Sequence, residues 1–340
     1  MTDVAPPIYS NQTLFALQSS SRYAWTGFNI FLLFSSLVGD SIILVASIKY
    51  NAFKLHKMSV VLIQHMAICD LMLAMTLILP TIVSLTSNEW VLGSTMCFLQ
   101  PYFVHLGYTG SIYFTLAMTT TKLIILKNPF LAREWSRKKA HLICVLIWIF
   151  SLAVDLMVIS TGPKDAYFDY RRYCCRSGLS APIWRIVLLP LVALFVGILP
   201  VALVIITTLM LLWKAWKITR RGGKNLKLEG VLTVVLTATV FTISFLPYTT
   251  YHIGSNFAAK DPLSTYHVLF FTVASNIMSI NIMCNFYIYS LTVHSYRQFL
   301  VTRLGLANRK SPDISGDTAL SLRRKDKEGL DIELNIERSA

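Results

Sequence analysis

Charge is scarce in this sequence: 14% of its 340 residues are Asp, Glu, Lys or Arg, against 54% hydrophobic. A water-soluble protein of this composition would need one very large core. Acidic residues are the rarer sign, 17 against 31 basic ones, leaving a net charge of +14. That excess is confined to alternate loops rather than spread along a face, so no nucleic-acid partner is expected. The chain also lacks a glycine-rich phosphate loop, a metal-spaced His/Cys cluster and a nucleophile with a nearby base, so it is not expected to be an enzyme. No cleavable signal peptide is evident, because Asp3, Pro6 and Pro7 precede any apolar run. No internal repeat of the transporter kind is seen, and no cysteine after Cys284 could carry a palmitoyl anchor.

What the chain has is seven apolar stretches, 25–49, 59–86, 94–126, 140–161, 182–213, 230–257 and 265–291. A hydrocarbon core of about 30 Å takes roughly 20 apolar residues per helical crossing. The mean hydropathy of +0.57 agrees, and the expected fold is an all-α membrane protein, a seven-transmembrane helix bundle. Lys49, Lys54 and Lys57 follow span one; Lys127, Arg133, Arg137, Lys138 and Lys139 follow span three; Lys214, Lys217, Arg220, Arg221, Lys224 and Lys227 separate spans five and six. The positive-inside rule makes these loops cytoplasmic, which puts the N-terminus outside and the C-terminus inside. Asn11-Gln12-Thr13, in the outer segment, is a glycosylation sequon.

The domains expected are an extracellular segment 1–24, a receptor domain 25–304 and a cytoplasmic tail 305–340, polar enough to be disordered. Tyr296, Phe299, Leu300 and Leu304 alternate with Arg297 and Arg303 at helical spacing, the pattern of a short amphipathic helix on the inner membrane surface. Cys69, Cys144 and Cys284 lie within spans as small apolar residues, whereas Cys97 and the adjacent Cys174-Cys175 lie on the oxidising side. One of that pair, Cys174 or Cys175, is expected to bond Cys97.

In order along the chain, several short motifs resemble the class A, rhodopsin-like G-protein-coupled receptors. Gly39-Asp40 stands where that family has Gly-Asn, and Met66-Ala67-Ile68-Cys69-Asp70 is similar to its Leu-Ala-x-x-Asp. Trp90-Val91-Leu92-Gly93 before Cys97, Trp148 and Pro200 occupy family positions. Phe241-Thr242-Ile243-Ser244-Phe245-Leu246-Pro247-Tyr248 resembles the version found in the branch of nucleotide, hydroxy-acid and some lipid-mediator receptors. Asn281 and Asn285-Phe286-Tyr287-Ile288-Tyr289 resemble the family's span-seven motif. The resemblance covers nearly all of 25–304 and makes Phe245, Pro247 and Tyr289 signalling positions.

Departures fall where that family transmits its signal. Its Asp-Arg-Tyr is here Thr121-Lys122-Leu123, its span-five Tyr is Thr208, and its span-seven Pro is Phe286. Lys keeps the positive charge but not the planar five-donor fork of Arg. Buried carboxylates need partners, and the resemblance places Asp70, Ser111, Asn281 and Asn285 at the family's sodium-site positions. Asp40 in span one and Asn285 in span seven look like an exchange of the Asn and Asp found in the nucleotide-receptor branch, so Asp40, Asp70 and Asn285 are expected to form one polar network. No cofactor beyond a structural sodium ion is implied.

For the ligand, Val104 stands where amine receptors carry Asp, and span seven has no Lys for a retinal Schiff base. The outer halves offer His105 and Tyr108 on span three and Tyr248, Tyr251 and His252 on span six. Lys164, Arg171, Arg172, Arg176 and Arg185 outnumber Asp165 and Asp169 around the second outer loop, and Arg suits a carboxylate or phosphate. Arg176 and Arg185 therefore join the ligand candidates. The expectation is a plasma-membrane receptor for a small acidic or lipidic extracellular ligand, partnered inside by a heterotrimeric G protein and arrestin and surrounded by membrane lipids. The competing readings are a scavenging receptor that binds without signalling, and an ion channel or transporter using Asp40 and Asp70.

Overall fold

The computed structural model describes residues 19–53, 55–128, 130, 134–161, 166–169, 174–177, 190–220, 228–257 and 265–303, with the backbone alone at 19–21, 158–161, 228–229, 251–257, 265–269 and 271–272 and in the hairpin apart from Cys175. Seven long helices succeed one another. Span one is Ser19–Ile48; span two is Lys57–Leu73, a π turn Ala74–Ile78, then Leu79–Ser87; span three is Gly93–Lys127. Span four is Arg137–Thr161, span five runs from Pro190 through a π turn Ala193–Ile198 into Leu199–Arg220, span six is Leu228–Phe257 and span seven Thr265–Thr292. The short helix expected after span seven is His294–Arg303. Between spans four and five lies an antiparallel hairpin, β1 (Ala166–Asp169) and β2 (Cys174–Ser177), in which Phe168 faces Cys175 and Asp169 faces Cys174.

The helices overrun the apolar stretches that announce them. Span one begins at Ser19 rather than Trp25, and span five continues to Arg220 rather than Trp213. A helix satisfies its own backbone, so it does not stop where the hydrocarbon does. Among the described residues, five helices are long and apolar enough by themselves to cross a membrane: Arg22–Ile48, Lys57–Ser87, Arg137–Met157, Pro190–Arg220 and Gly230–Thr250. Span three is more polar for a reason visible in the packing. It lies against spans two, four, five and six, and buries Gln100, Thr109, Ser111, Thr115, Thr119 and Thr121 against them. Span four shows the opposite pattern, with Leu142, Leu146, Ile149 and Leu156 more than half exposed, as a lipid-facing surface requires.

Among the described residues, two apolar clusters lie in the interior. Leu32, Leu73, Ala74, Ile78 and Ile282 join spans one, two and seven, and Ile112, Val201, Phe241, Phe245 and Met278 join spans three, five, six and seven. Both π turns use a side chain of span three. Gln100 Nε2 donates to the Thr76 carbonyl in span two at 3.1 Å, and Tyr113 Oη donates to the Phe195 carbonyl in span five at 2.6 Å. A π turn disturbs the helical ladder, and a carbonyl in each accepts a donor from the central helix.

Two compact units are distinguished, Met1–Arg297 and Gln298–Ala340. The first contains all seven spans. Of the second, the described part is the end of the short helix, through Arg303.

Candidate functional site

Asp40 and Asp70 have no exposed surface, so each must find partners inside the bundle. Asn285 Nδ2, from span seven, donates to Asp70 Oδ2 at 2.6 Å. Ser36 Oγ, one turn before Asp40, donates to Asp40 Oδ2 at 2.7 Å. The Oδ1 of each carboxyl has no hydrogen-bond partner among the described atoms. Two ionised carboxylates in such a place need a counter-cation or a shared proton between them.

Span one can enter this network because position 39 is glycine. A Cβ there would stand 2.7 Å from Phe286 Cβ, so the aromatic ring that replaces the family's span-seven proline packs into the space Gly39 leaves. Nearby polar groups converge in the same interior. Ser111 Oγ is buried and lacks a hydrogen-bond partner. Ser111, Ser244 and Asn281 line a cavity together with Tyr108, Phe241 and Phe245, with room for about one water molecule. Of the four residues implied to hold sodium, Asp70 and Asn285 therefore bond each other while Ser111 and Asn281 share this cavity. The donors are oxygen-rich and carry negative charge, which suits a hard cation or water rather than a soft metal. Among the described residues no group of three or more His, Cys, Asp or Glu is gathered for a metal ion.

On the ligand side, Tyr108 and Tyr248 come together, ring centroids 5.9 Å apart, and Phe245 lies 6.3 Å from Tyr108. Phe245 in turn stacks on Phe241 at 5.2 Å. Aromatic residues of spans three and six thus form one continuous contact reaching the cavity. His105 does something the sequence did not announce: its Nδ1 is hydrogen-bonded to Oδ1 of Asp155 on span four. Asp155 is almost completely buried. Tyr251 and His252 lie on the span-six helix and Arg176 on β2, but their side chains, like Arg185 and the sequon Asn11, lie outside the described residues.

The outer bridge is Cys97–Cys175, with Cα atoms 5.1 Å apart. Successive strand residues point to opposite faces, so Cys175 meets span three while its neighbour Cys174 is the partner of Asp169 across the hairpin. The junction has a second tie. Cys175 N donates to Gln100 Oε1 at 2.8 Å, the same side chain whose amide nitrogen reaches Thr76.

At the inner end Thr121 and Leu123 are buried, and the Lys122 ammonium extends to span six. A Cβ on Gly230 would be 2.5 Å from Lys122 Nζ. Thr119 Oγ1 and Thr207 Oγ1 bond across spans three and five at 3.0 Å. Tyr289 is buried and meets Phe53 edge-on at 5.7 Å, and Phe53 stacks on Tyr296 at 4.5 Å.

Seven spans around a polar centre, with a disulfide-bridged hairpin at one end of span three and a lysine at the other, are the architecture of a seven-helix membrane receptor. The family described as 7 transmembrane receptor (rhodopsin family) matches residues 40–289, and the chain belongs to that family. It is similar to the cysteinyl leukotriene receptor 1 of Sus scrofa, 26% identical over 187 residues that make up 54% of this chain and 55% of that receptor. Human cysteinyl leukotriene receptor 2 is 25% identical over 193 residues, 55% of this chain and 54% of the receptor. The pyroglutamylated RF-amide peptide receptor of Rattus norvegicus is 19% identical over 333 residues, 89% of this chain and 76% of that one. The chain spans about half the length of the leukotriene receptors it matches here.

Proposed function

We propose that the chain is a plasma-membrane receptor that senses a small acidic or lipidic extracellular ligand and passes the signal to a heterotrimeric G protein, with arrestin as a further intracellular partner. The observation that carries this reading is the aromatic contact Tyr108–Tyr248–Phe245. It links a position open to ligand on span three with the proline-bearing stretch of span six, and Phe245 borders the cavity that holds Ser111 and Asn281. A ligand that displaces Tyr108 or Tyr248 has a packed route to the inner end of span six. Relatives named for cysteinyl leukotrienes support a lipidic ligand, and the basic second outer loop supports an acidic one. His105 Nδ1 is already occupied by Asp155, so the attraction for an anion rests on Arg176 and Arg185. A sodium ion held by Asp70, Ser111, Asn281 and Asn285 would supply the counter-charge for the buried carboxylates.

The test is ligand-stimulated nucleotide exchange in cells expressing the full chain, screened with acidic metabolites, nucleotides and lipid mediators. One chemical class should stimulate exchange, and Tyr108→Ala or Tyr248→Ala should weaken it. Thr121-Lys122-Leu123 favours a second reading, a receptor that binds and scavenges. That reading replaces the first if an identified ligand binds normally while the chain and its Lys122→Arg variant stay silent with every G-protein class. Orientation is checked by glycan on Asn11 and by a tag after Ala340 that stains only permeabilised cells.

A further inference from the structure

The inner end of span five bears a surface that ligand sensing does not use. Ile206, Leu209, Trp213 and Trp216 are each more than half exposed, and their spacing puts them on one lipid-facing stripe of the helix. One turn beyond each indole sits a cation. Lys217 Nζ lies 5.0 Å from the Trp213 ring centroid, and the Arg220 guanidinium carbon lies 5.2 Å from that of Trp216. These two i, i+4 pairs end the apolar stripe, at the level where tryptophan anchors a helix in the membrane interface. The sequence supplies no neutralising acid: none occurs between Asp169 and Glu229, whereas Lys214, Lys217, Arg220, Arg221, Lys224 and Lys227 all fall in that interval. A cation over an indole face keeps N–H donors for a second, anionic partner.

We infer that this face docks anionic phospholipid of the inner leaflet, with Trp213 and Trp216 seated at headgroup depth and Lys217 and Arg220 taking phosphate oxygens. A membrane is the occupant because the cations are continuous with the lipid-facing stripe. A protein docking here would have to withdraw both indoles from the bilayer. Basic residues at a membrane surface each change affinity for anionic lipid roughly fivefold, so removing both cations lowers it by roughly 25-fold if they act independently.

The experiment places the full chain in nanodiscs of phosphatidylcholine containing a small fraction of brominated phosphatidylserine or, in parallel, brominated phosphatidylcholine. Bromine quenches tryptophan on contact. Phosphatidylserine should quench more strongly at equal fraction, and Trp213→Phe with Trp216→Phe should remove the excess quenching. Lys217→Gln with Arg220→Gln should abolish the preference, while Lys138→Gln with Lys139→Gln, an equal loss of charge elsewhere on the inner face, should leave it. Equal quenching by the two lipids overturns the inference, as does an equal loss with the Lys138 and Lys139 variant, which would mean bulk charge alone. Loss of the preference in millimolar inorganic phosphate would also overturn it, by making the site one for free phosphate.

Discussion

At its outer end span three is tied to the hairpin by Cys97–Cys175, to span two through Gln100 and to span four through His105 and Asp155. At its inner end it meets span five through a threonine pair and span six through the Lys122 ammonium over Gly230. The outer ties include a covalent bond and a side chain occupied at both ends, and to move there something must break. Lysine reaches its place through a flexible four-carbon stem rather than a covalent tie. A bundle fastened in this way is tied covalently at one end of span three and by side-chain contacts alone at the other.

The largest effect that can break this comparison is loss of the bridge. Cys97→Ser and Cys175→Ser should each cost about 2–5 kcal/mol and deplete surface receptor, whereas Cys174→Ser should not. If surface staining fell equally for Cys174 and Cys175, the pairing described here would be wrong. Next comes Gln100→Ala, which strands a buried N–H and a carbonyl together and should lower stability by about 1–3 kcal/mol in a thermal-shift assay. A loss indistinguishable from zero would mean that water replaces the amide and the outer end is looser than argued.

The polar centre sharpens the comparison from the middle. A cycle of Asp40→Asn, Asn285→Asp and the double exchange should show coupling of about 0.5–3 kcal/mol in stability, because both positions act on Asp70. Strict additivity would remove Asp40 from the network. The smallest effect on stability is expected at Gly230. Alanine there favours the helix by at most about 1 kcal/mol and displaces the Lys122 ammonium, so the net change in stability should be small while basal exchange rises by about fivefold or less. Lys122→Arg should raise ligand-stimulated exchange, since it restores the planar donors that lysine lacks. A rise in basal exchange with Gln100→Ala but not with Gly230→Ala would reverse the comparison of the two ends.

The sequence displayed the spans because lipid imposes a length and an apolar composition that no loop imitates. It also displayed the meeting of Asp70 with Asn285, since buried polar residues at motif spacing have few partners to choose from. It left Cys174 and Cys175 undecided because the choice depends on which face β2 turns to span three, a matter of register. Asp155 was overlooked although the signal was present: one carboxylate in an otherwise apolar stretch of span four demands a cation. Gln100 and Tyr113 could not be foreseen, since their roles depend on π turns that no local motif announces. Likewise the length of span five beyond Trp213 is set by helical continuity rather than by hydropathy.

The π turns also change where the outer residues of two helices point. One residue added to an α-helix rotates everything beyond it by about 100° about the axis. The segments of span two beyond Ile78, and of span five outward of Ala193, are therefore out of phase with the inner turns of their own helices. Removing one residue from either π turn would restore the ladder and swing the outer turns to a different neighbour, leaving the inner end in place. Which way the outer side chains of these two helices point is thus a matter of angular phase as well as residue identity, and Gln100 and Tyr113 bond the two π turns from the helix between them.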